Sequence, residues 1–400
     1  MIHKTIPVTE LRVGMYVAHL DRPWLGTPFA FQGFPVTSQD QIEAVREYCK
    51  FVTIDLEQDL SRAPAHREAV ADRKAVRGTA AYGVEVPVEK ELTRAKAIYG
   101  ECEIALQQTM QRLLSEGEFD SQSLRSSVNE MTESVLRNPD AMTLIAKLKT
   151  KDDHEFRRAV DSSILMISFG RFLQLAREEI YLLGLAGFLL DVGKIRVADA
   201  ILKKAAPLTP EENEAVKKHV MHSVEILSGE KGFPQAVVDV VLQHHEYEDG
   251  SGYPRGLRKG EITLFGSIAA IVDSYCAMIS PRPYAEQYSP SNALGELYKR
   301  RDTLYHAALI EQFIQCIGIY PVGSAVELNS GEIGVVISQN LVRRLQPRVM
   351  VILDRDGKVL QPQKILDLIK EPKATADEPY RIRRTLKTDA LPVDVRDFFL

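Results

Sequence analysis

The chain has 400 residues, 45% hydrophobic and 26% charged, enough for two or three domains with a sizeable core and an ordinary soluble composition. A formal net charge of −5 sets aside a general nucleic-acid-polymer binder, although local basic clusters could hold a small phosphorylated ligand. The first residues, Met1-Ile2-His3-Lys4-Thr5, open no apolar run, so no signal peptide is expected.

Residues 1–60 read as a small α/β module. Strand-like pieces flank the Arg12-Val13-Gly14-Met15 break, and Trp24-Leu25-Gly26-Thr27-Pro28-Phe29 forms a turn with aromatic anchors. Ile42, Val45 and Tyr48 recur at helical spacing, and residues 51–56 form a strand. Residues 61–88 are polar, with few large apolar groups, and read as a linker. Residues 89–144 form a helical connector. One stripe there runs through Leu92, Tyr99, Cys102, Leu106, Met110 and Leu113, and a second through Leu124, Val128, Met131 and Val135. Asn138-Pro139 starts a new helix, with Asn138 as cap.

Residues 145–318 are helical by periodicity. Their longest apolar stretch, residues 180–190, is closed by Asp191 and is too short to span a bilayer. Residues 319–372 carry three strand-like runs, Ala325–Leu328, Ile333–Ser338 and Arg348–Leu353, and read as a small β appendage. Residues 373–400 read as a loosely held polar tail. The four cysteines are scattered, which suits reduced thiols in a cytoplasm.

Nine histidines in 400 residues would place about 0.6 in a 27-residue window by chance, yet residues 219–245 hold His219, His222, His244 and His245. Asp191 closes an apolar helix, and Asp273 follows Ile268-Ala269-Ala270-Ile271-Val272 inside another. Burying an unpaired carboxylate is costly, and a metal ion would supply the partner. Imidazoles with bridging carboxylates suit Fe, Mn or Zn. A single histidine on a helix is more often a surface or hydrogen-bonded core residue, and an adjacent pair can be a polar helix end. Three together weigh the other way, whereas His222 lacks further support and reads as structural. Asp249-Gly250-Ser251-Gly252-Tyr253-Pro254 alone would be a common turn. Directly after His244-His245-Glu246 its glycines let backbone approach a ligand, and Tyr253 offers a ring for stacking on a base.

In this order the residues resemble the HD-GYP family, HD-type metal-dependent phosphohydrolases that cleave the bacterial second messenger cyclic di-GMP. The likeness runs from Asp191-Val192-Gly193-Lys194-Ile195 through His219, His244-His245-Glu246 and the Gly252-Tyr253-Pro254 signature to Asp273 and Ser280-Pro281-Arg282-Pro283-Tyr284. Residues 1–60, with Leu11-Arg12-Val13-Gly14-Met15-Tyr16-Val17, are similar to a domain of unknown function that often precedes such domains. The resemblance implies a mainly α fold, with a helical HD-type phosphohydrolase domain between the α/β module and the β appendage. It implies a cluster of metals bridged by Asp191 and Asp273 and completed by His219, His244 and His245. It gives Asp191 and Lys194 catalytic roles. Lys194 and Arg282 become phosphate contacts, with a surface salt bridge the alternative for Arg282, while Gly252, Tyr253 and Pro254 line the entrance. Cyclic di-GMP and other proteins of its signalling network are the expected partners, with no membrane span and a cytoplasmic location.

Two positions depart from the family. Leu190 stands where the histidine of the name-giving His-Asp pair belongs, and Arg158 stands where a first-helix histidine ligand belongs. Leucine has no donor atom and arginine is always charged, so neither binds a cation. At most one metal per chain is therefore expected, with Arg158 as a fixed charge that could hold a phosphate. Three readings stay open: a slow cyclic di-GMP phosphodiesterase, a non-catalytic receptor or scaffold, and a hydrolase for another nucleotide.

Overall fold

The computed structural model describes residues 3–22, 34–36, 39–55, 76–148, 154–230, 233–280, 287–341, 343–386 and 391–399. The turn expected at residues 24–29, part of the linker, and Arg282 with its neighbours 281–284 lie outside the described residues. The chain is mainly helical, with a small sheet at each end.

At the N-terminus, strands β1 (His3–Pro7), β2 (Tyr16–Leu20), β3 (Phe34–Pro35) and β4 (Phe51–Asp55) pair antiparallel in the order β1-β4-β2-β3, with helix α1 (Gln39–Tyr48) beside them. Ile42 and Val45 of α1 are buried against Ile6, Val17, Val52 and Ile54, so the helical spacing read in the sequence faces the sheet.

Helices α2 (Val88–Ser115), α3 (Ser121–Arg137) and α4 (Pro139–Leu148) follow. Tyr99, Cys102, Leu106 and Met110 meet Leu124, Val128, Met131 and Val135 in the main apolar core, as the two stripes require. Asn138 caps α4, its Oδ1 accepting from the N–H groups of Asp140 (2.9 Å) and Ala141 (3.1 Å). The described end of the expected linker is fastened down. Val76 exchanges two hydrogen bonds with the Gln312 side chain, Gly78 N–H donates to Leu173 O, and the Tyr82 hydroxyl donates to Leu175 O. Each of these bonds has a backbone atom at one end at least, which hydropathy does not report.

The central block comprises α5 (His154–Phe172), α6 (Arg177–Leu189), α7 (Asp199–Leu202), α8 (Pro210–Lys217), α9 (His219–Gly229), α10 (Gln235–Gln243), α11 (Leu264–Ile279), α12 (Pro290–Lys299) and α13 (Ala307–Ile317). Strands β5 (Ala325–Leu328), β6 (Ile333–Ser338), β7 (Arg348–Leu353), β8 (Val359–Asp367) and β9 (Ile382–Leu386) then form an antiparallel sheet in the order β8-β7-β6-β5-β9. The polar tail expected from residue 373 thus contributes a strand. β9 pairs with β5, and Arg383 and Arg384 both contact Glu327. β8 and β9 are the sheet's edges and are largely exposed, so they lack the apolar alternation that marks a half-buried strand.

Candidate metal centre

Helix α6 buries an almost unbroken apolar run and ends at Leu190, where Asp191 opens a short 3-10 turn, Val192–Arg196. That turn lies directly on α9. A Cβ at Gly193 would sit 2.2 Å from the His219 carbonyl oxygen and 2.3 Å from Ser223 N, so only glycine allows the approach. Gly193 N–H donates to Ser223 Oγ at 2.8 Å, and that hydroxyl donates to Leu190 O at 3.1 Å. The clamp sets Asp191 Oδ1 3.3 Å from His219 Nε2.

His219 and His244 are oriented in the same way. Nδ1 of His219 lies 2.7 Å from Val216 O, and Nδ1 of His244 lies 2.6 Å from Val241 O. A carbonyl can only accept, so each Nδ1 carries a proton and the neutral ring keeps its lone pair on Nε2. The two Nε2 atoms face each other at 3.4 Å. Burial pushes His244 down to about 4, and burial, then the neighbouring His244, pushes His245 well below the usual imidazole value. One ligand atom from each of Asp191, His219, His244 and His245 lies within 4.8 Å of the others. Asp191 Oδ1 is buried and has no hydrogen-bond partner among the described residues. Converging imidazole lone pairs beside an unsatisfied carboxylate oxygen fit a divalent cation, with the carbonyls of residues 216 and 241 fixing the rings from behind.

Asp273 does not join these four. Its Oδ1 is 2.5 Å from Arg158 Nη2, which also lies 4.0 Å from Asp191 Oδ2, while its Oδ2 is 3.9 Å from His245 Nδ1. Burial, the largest influence, would raise the Asp273 carboxyl, but the Arg158 guanidinium together with His245 and His244 outweighs it and brings it down to about 2. The same contest holds Asp191 well below the carboxylate range: burial raises it, and Lys194, Arg158 and His219 overcome that. Lys194 Nζ lies 2.6 Å from Asp191 Oδ2. The fixed charge expected at Arg158 is thus paired with Asp273. Leu190 is 3% exposed within the apolar core and brings no donor. His222 stays outside the set, its Nδ1 3.7 Å from Glu225.

The loop after His245 is built around Glu246. Its buried carboxylate accepts from the N–H groups of Arg255 (2.7 Å) and Leu257 (2.8 Å). Gly252 rests on the same backbone, where a Cβ would meet His245 O at 2.5 Å. Tyr253 N–H donates to His245 O at 3.0 Å, and Pro254 follows through a cis peptide bond. The Tyr253 ring stacks on His245, with centroids 4.7 Å apart and planes at 29°. Lys217 Nζ lies 5.4 Å from the Tyr253 ring centroid. Sequence reading missed Lys217, the Glu246 anchor and the two orienting carbonyls. Every residue has a carbonyl, so nothing in the sequence marks those two.

Residues 143–309 match the HD domain family, residues 3–123 match a domain of unknown function (DUF3391), and residues 325–381 match a KOW domain associated with HD domain. The chain is 34% identical over 376 residues to cyclic di-GMP phosphodiesterase PA4108 of Pseudomonas aeruginosa, covering 91% of this chain and 89% of that protein. It is 41% identical over 126 residues to a cyclic di-GMP phosphodiesterase of Thermotoga maritima, 31% of this chain and 34% of that one. It is 37% identical over 144 residues to the cyclic di-GMP phosphodiesterase response regulator RpfG of Xanthomonas campestris pv. campestris, 36% of this chain and 38% of that one. Among the described residues no helix is long and apolar enough to cross a membrane. With an HD domain match behind its histidine cluster and similarity to PA4108 along nearly its whole length, the chain belongs to the HD-GYP family of HD-type phosphohydrolases.

Proposed function

We propose that this chain binds cyclic di-GMP and hydrolyses it slowly, at a centre that holds one divalent metal ion rather than two. The nucleotide is the one in the names of its relatives. The reduced centre rests on one observation: three imidazoles converge on a buried Asp191 oxygen that has no hydrogen-bond partner among the described residues, while Asp273 is taken by Arg158.

Asp191, His219, His244 and His245 would hold the ion, and their mixture of imidazole and carboxylate suits Fe, Mn or Zn. Bound there, a metal supplies a Lewis acid for a phosphate oxygen and a water of lowered pKa. Lys194, parked on Asp191 Oδ2, offers its remaining N–H donors to a phosphate oxygen. Arg158 keeps Asp273 ionised and compensated but is spent on that pairing. Where two cations normally share the developing charge, one cation should cost several kcal/mol, on the order of a thousandfold in rate.

Metal analysis and a hydrolysis assay on the same purified sample test this. The expected result is one tightly bound transition metal per chain, absent in His244→Ala, with cyclic di-GMP bound and turned over slowly. Two stoichiometric metals in the unmodified chain would overturn the single-cation centre. Binding with no turnover would leave a receptor, and no binding at roughly a hundred micromolar nucleotide would leave a protein scaffold.

A further inference from the structure

The three imidazoles of the centre are not held alike. His219 and His244 each donate through Nδ1 to a backbone carbonyl, which fixes both ring and tautomer. His245 makes no side-chain hydrogen bond among the described residues. Its Nδ1 is 3.9 Å from Asp273 Oδ2, beyond hydrogen-bond reach, and the other oxygen of that carboxylate is engaged by Arg158. Ring contacts are left to set the angle at which His245 presents its lone pair: the two fellow imidazoles, His244 at 4.1 Å and 41° and His219 at 5.2 Å and 83°, and the Tyr253 ring.

We infer that Tyr253 is the positioning residue for His245, holding the imidazole in its ligating orientation by ring stacking. The contact is near-parallel, 4.7 Å between centroids with planes at 29°. The tyrosine is also tied to the histidine it covers, since its N–H donates to His245 O and the Gly252 backbone lies against the same carbonyl. Backbone and ring thus grip one residue from two sides. The Tyr253 hydroxyl makes no hydrogen bond among the described residues, so the face of the ring does the holding and phenylalanine should replace it. A ring already stacked on His245 and carrying Lys217 nearby is poorly placed to receive a base as well.

The inference rests on the metal reading above and is tested with Mn(II) as probe, on the full chain. Wild type, Tyr253→Phe, Tyr253→Leu and His244→Ala are compared for Mn(II) dissociation constant and for thermal unfolding without metal. Cyclic di-GMP binding by the metal-free proteins is measured alongside. Tyr253→Phe should bind Mn(II) within about twofold of wild type. Tyr253→Leu should bind about tenfold more weakly, the usual scale for losing a group that orients a ligand, with metal-free unfolding unchanged. Equal Mn(II) affinity in Tyr253→Leu and wild type, with nucleotide binding lost, would overturn the inference in favour of base stacking. So would a tenfold loss in Tyr253→Phe, a variant that keeps the ring and therefore decides the matter even if the leucine variant misfolds. A wild type that binds no Mn(II), or a His244→Ala variant that binds it as well as wild type, would overturn the metal centre itself, and the inference with it.

Discussion

The two aspartates at the centre meet opposite partners. Asp273 faces a guanidinium at 2.5 Å, whereas Asp191 has one oxygen on Lys194 and the other buried without a hydrogen bond beside His219. Both carboxyls stay ionised although burial works against it. On the single-cation reading proposed above, the difference is how the centre would do without an imidazole and leave no charge stranded. Where the family's first-helix histidine belongs, Arg158 carries a permanent cation into contact with the carboxylate that a metal would have compensated. Asp273 thus has a cationic partner in the protein itself, whereas Asp191 Oδ1 has no hydrogen-bond partner among the described residues.

The largest effect should come from rebuilding the Arg158 side. In Arg158→His with Leu190→His, metal content should rise from one to two per chain and turnover by up to about a thousandfold. Either change alone should fall short. With Leu190→His the guanidinium still opposes a second cation, and the new imidazole lies in a position 3% exposed among apolar neighbours. With Arg158→His the second imidazole is still missing. Residues that serve one ion act non-additively. Metal per chain and turnover, measured side by side in the four proteins, decide this. An unmodified chain already as fast as the double variant would show that these positions do not limit the chemistry.

That Arg158 and Leu190 stand where family histidines are expected was legible in the sequence, because the motif sets the expectation at each position. The consequence of one of them was not. Arg158 and Asp273 are 115 residues apart, and only the packing of α5 against α11 brings them together. The histidine cluster and the apolar stripes of α2 and α3 were readable because spacing encodes a shared face. The edge strands β8 and β9 and the segment at residues 76–86 are held by backbone hydrogen bonds, which no side-chain pattern reports. Tyr253 was found for its ring, but nothing in the sequence pattern shows that the ring lies against His245.

Arg158→Ala breaks the comparison from the other side. It leaves Asp273 buried and charged with its closest cation gone, and His245 Nδ1 is too distant to replace it. Removing one partner of a buried ion pair costs about 3 to 5 kcal/mol, and the lower figure is expected because Arg158 is itself partly exposed. Urea unfolding of metal-free protein measures the loss, and Mn(II) should restore part of it in Arg158→Ala but add less to wild type. If metal-free Arg158→Ala unfolds like wild type, the guanidinium is not what makes the charge of Asp273 tolerable.

A third buried carboxylate sharpens the comparison with the smallest effect. Among the described residues, Asp140, 9% exposed in the first turn of α4, has no ion-pair partner within reach and accepts only from Ser338 Oγ at 2.7 Å and Gln339 N–H at 3.3 Å of the β appendage. Burial here wins over those hydrogen bonds and over the more distant Arg171 and Arg348, lifting the carboxyl from 3.8 to about 6. A carboxyl with a raised pKa in the folded state binds its proton more tightly there than in the unfolded chain. Its stabilising contribution is full below pH 3.8 and is lost as pH rises through about 6. Two units correspond to at most about 3 kcal/mol. Asp140→Asn is neutral throughout and keeps an oxygen for Ser338 and Gln339. Its stability relative to wild type should therefore increase between about pH 4 and pH 7 and level off above that. Thermal unfolding of both proteins at half-unit pH steps gives the difference directly. A difference that stays constant across this range would mean that Asp140 titrates as an ordinary aspartate, and that a guanidinium is not needed to keep a carboxylate ionised at such a depth.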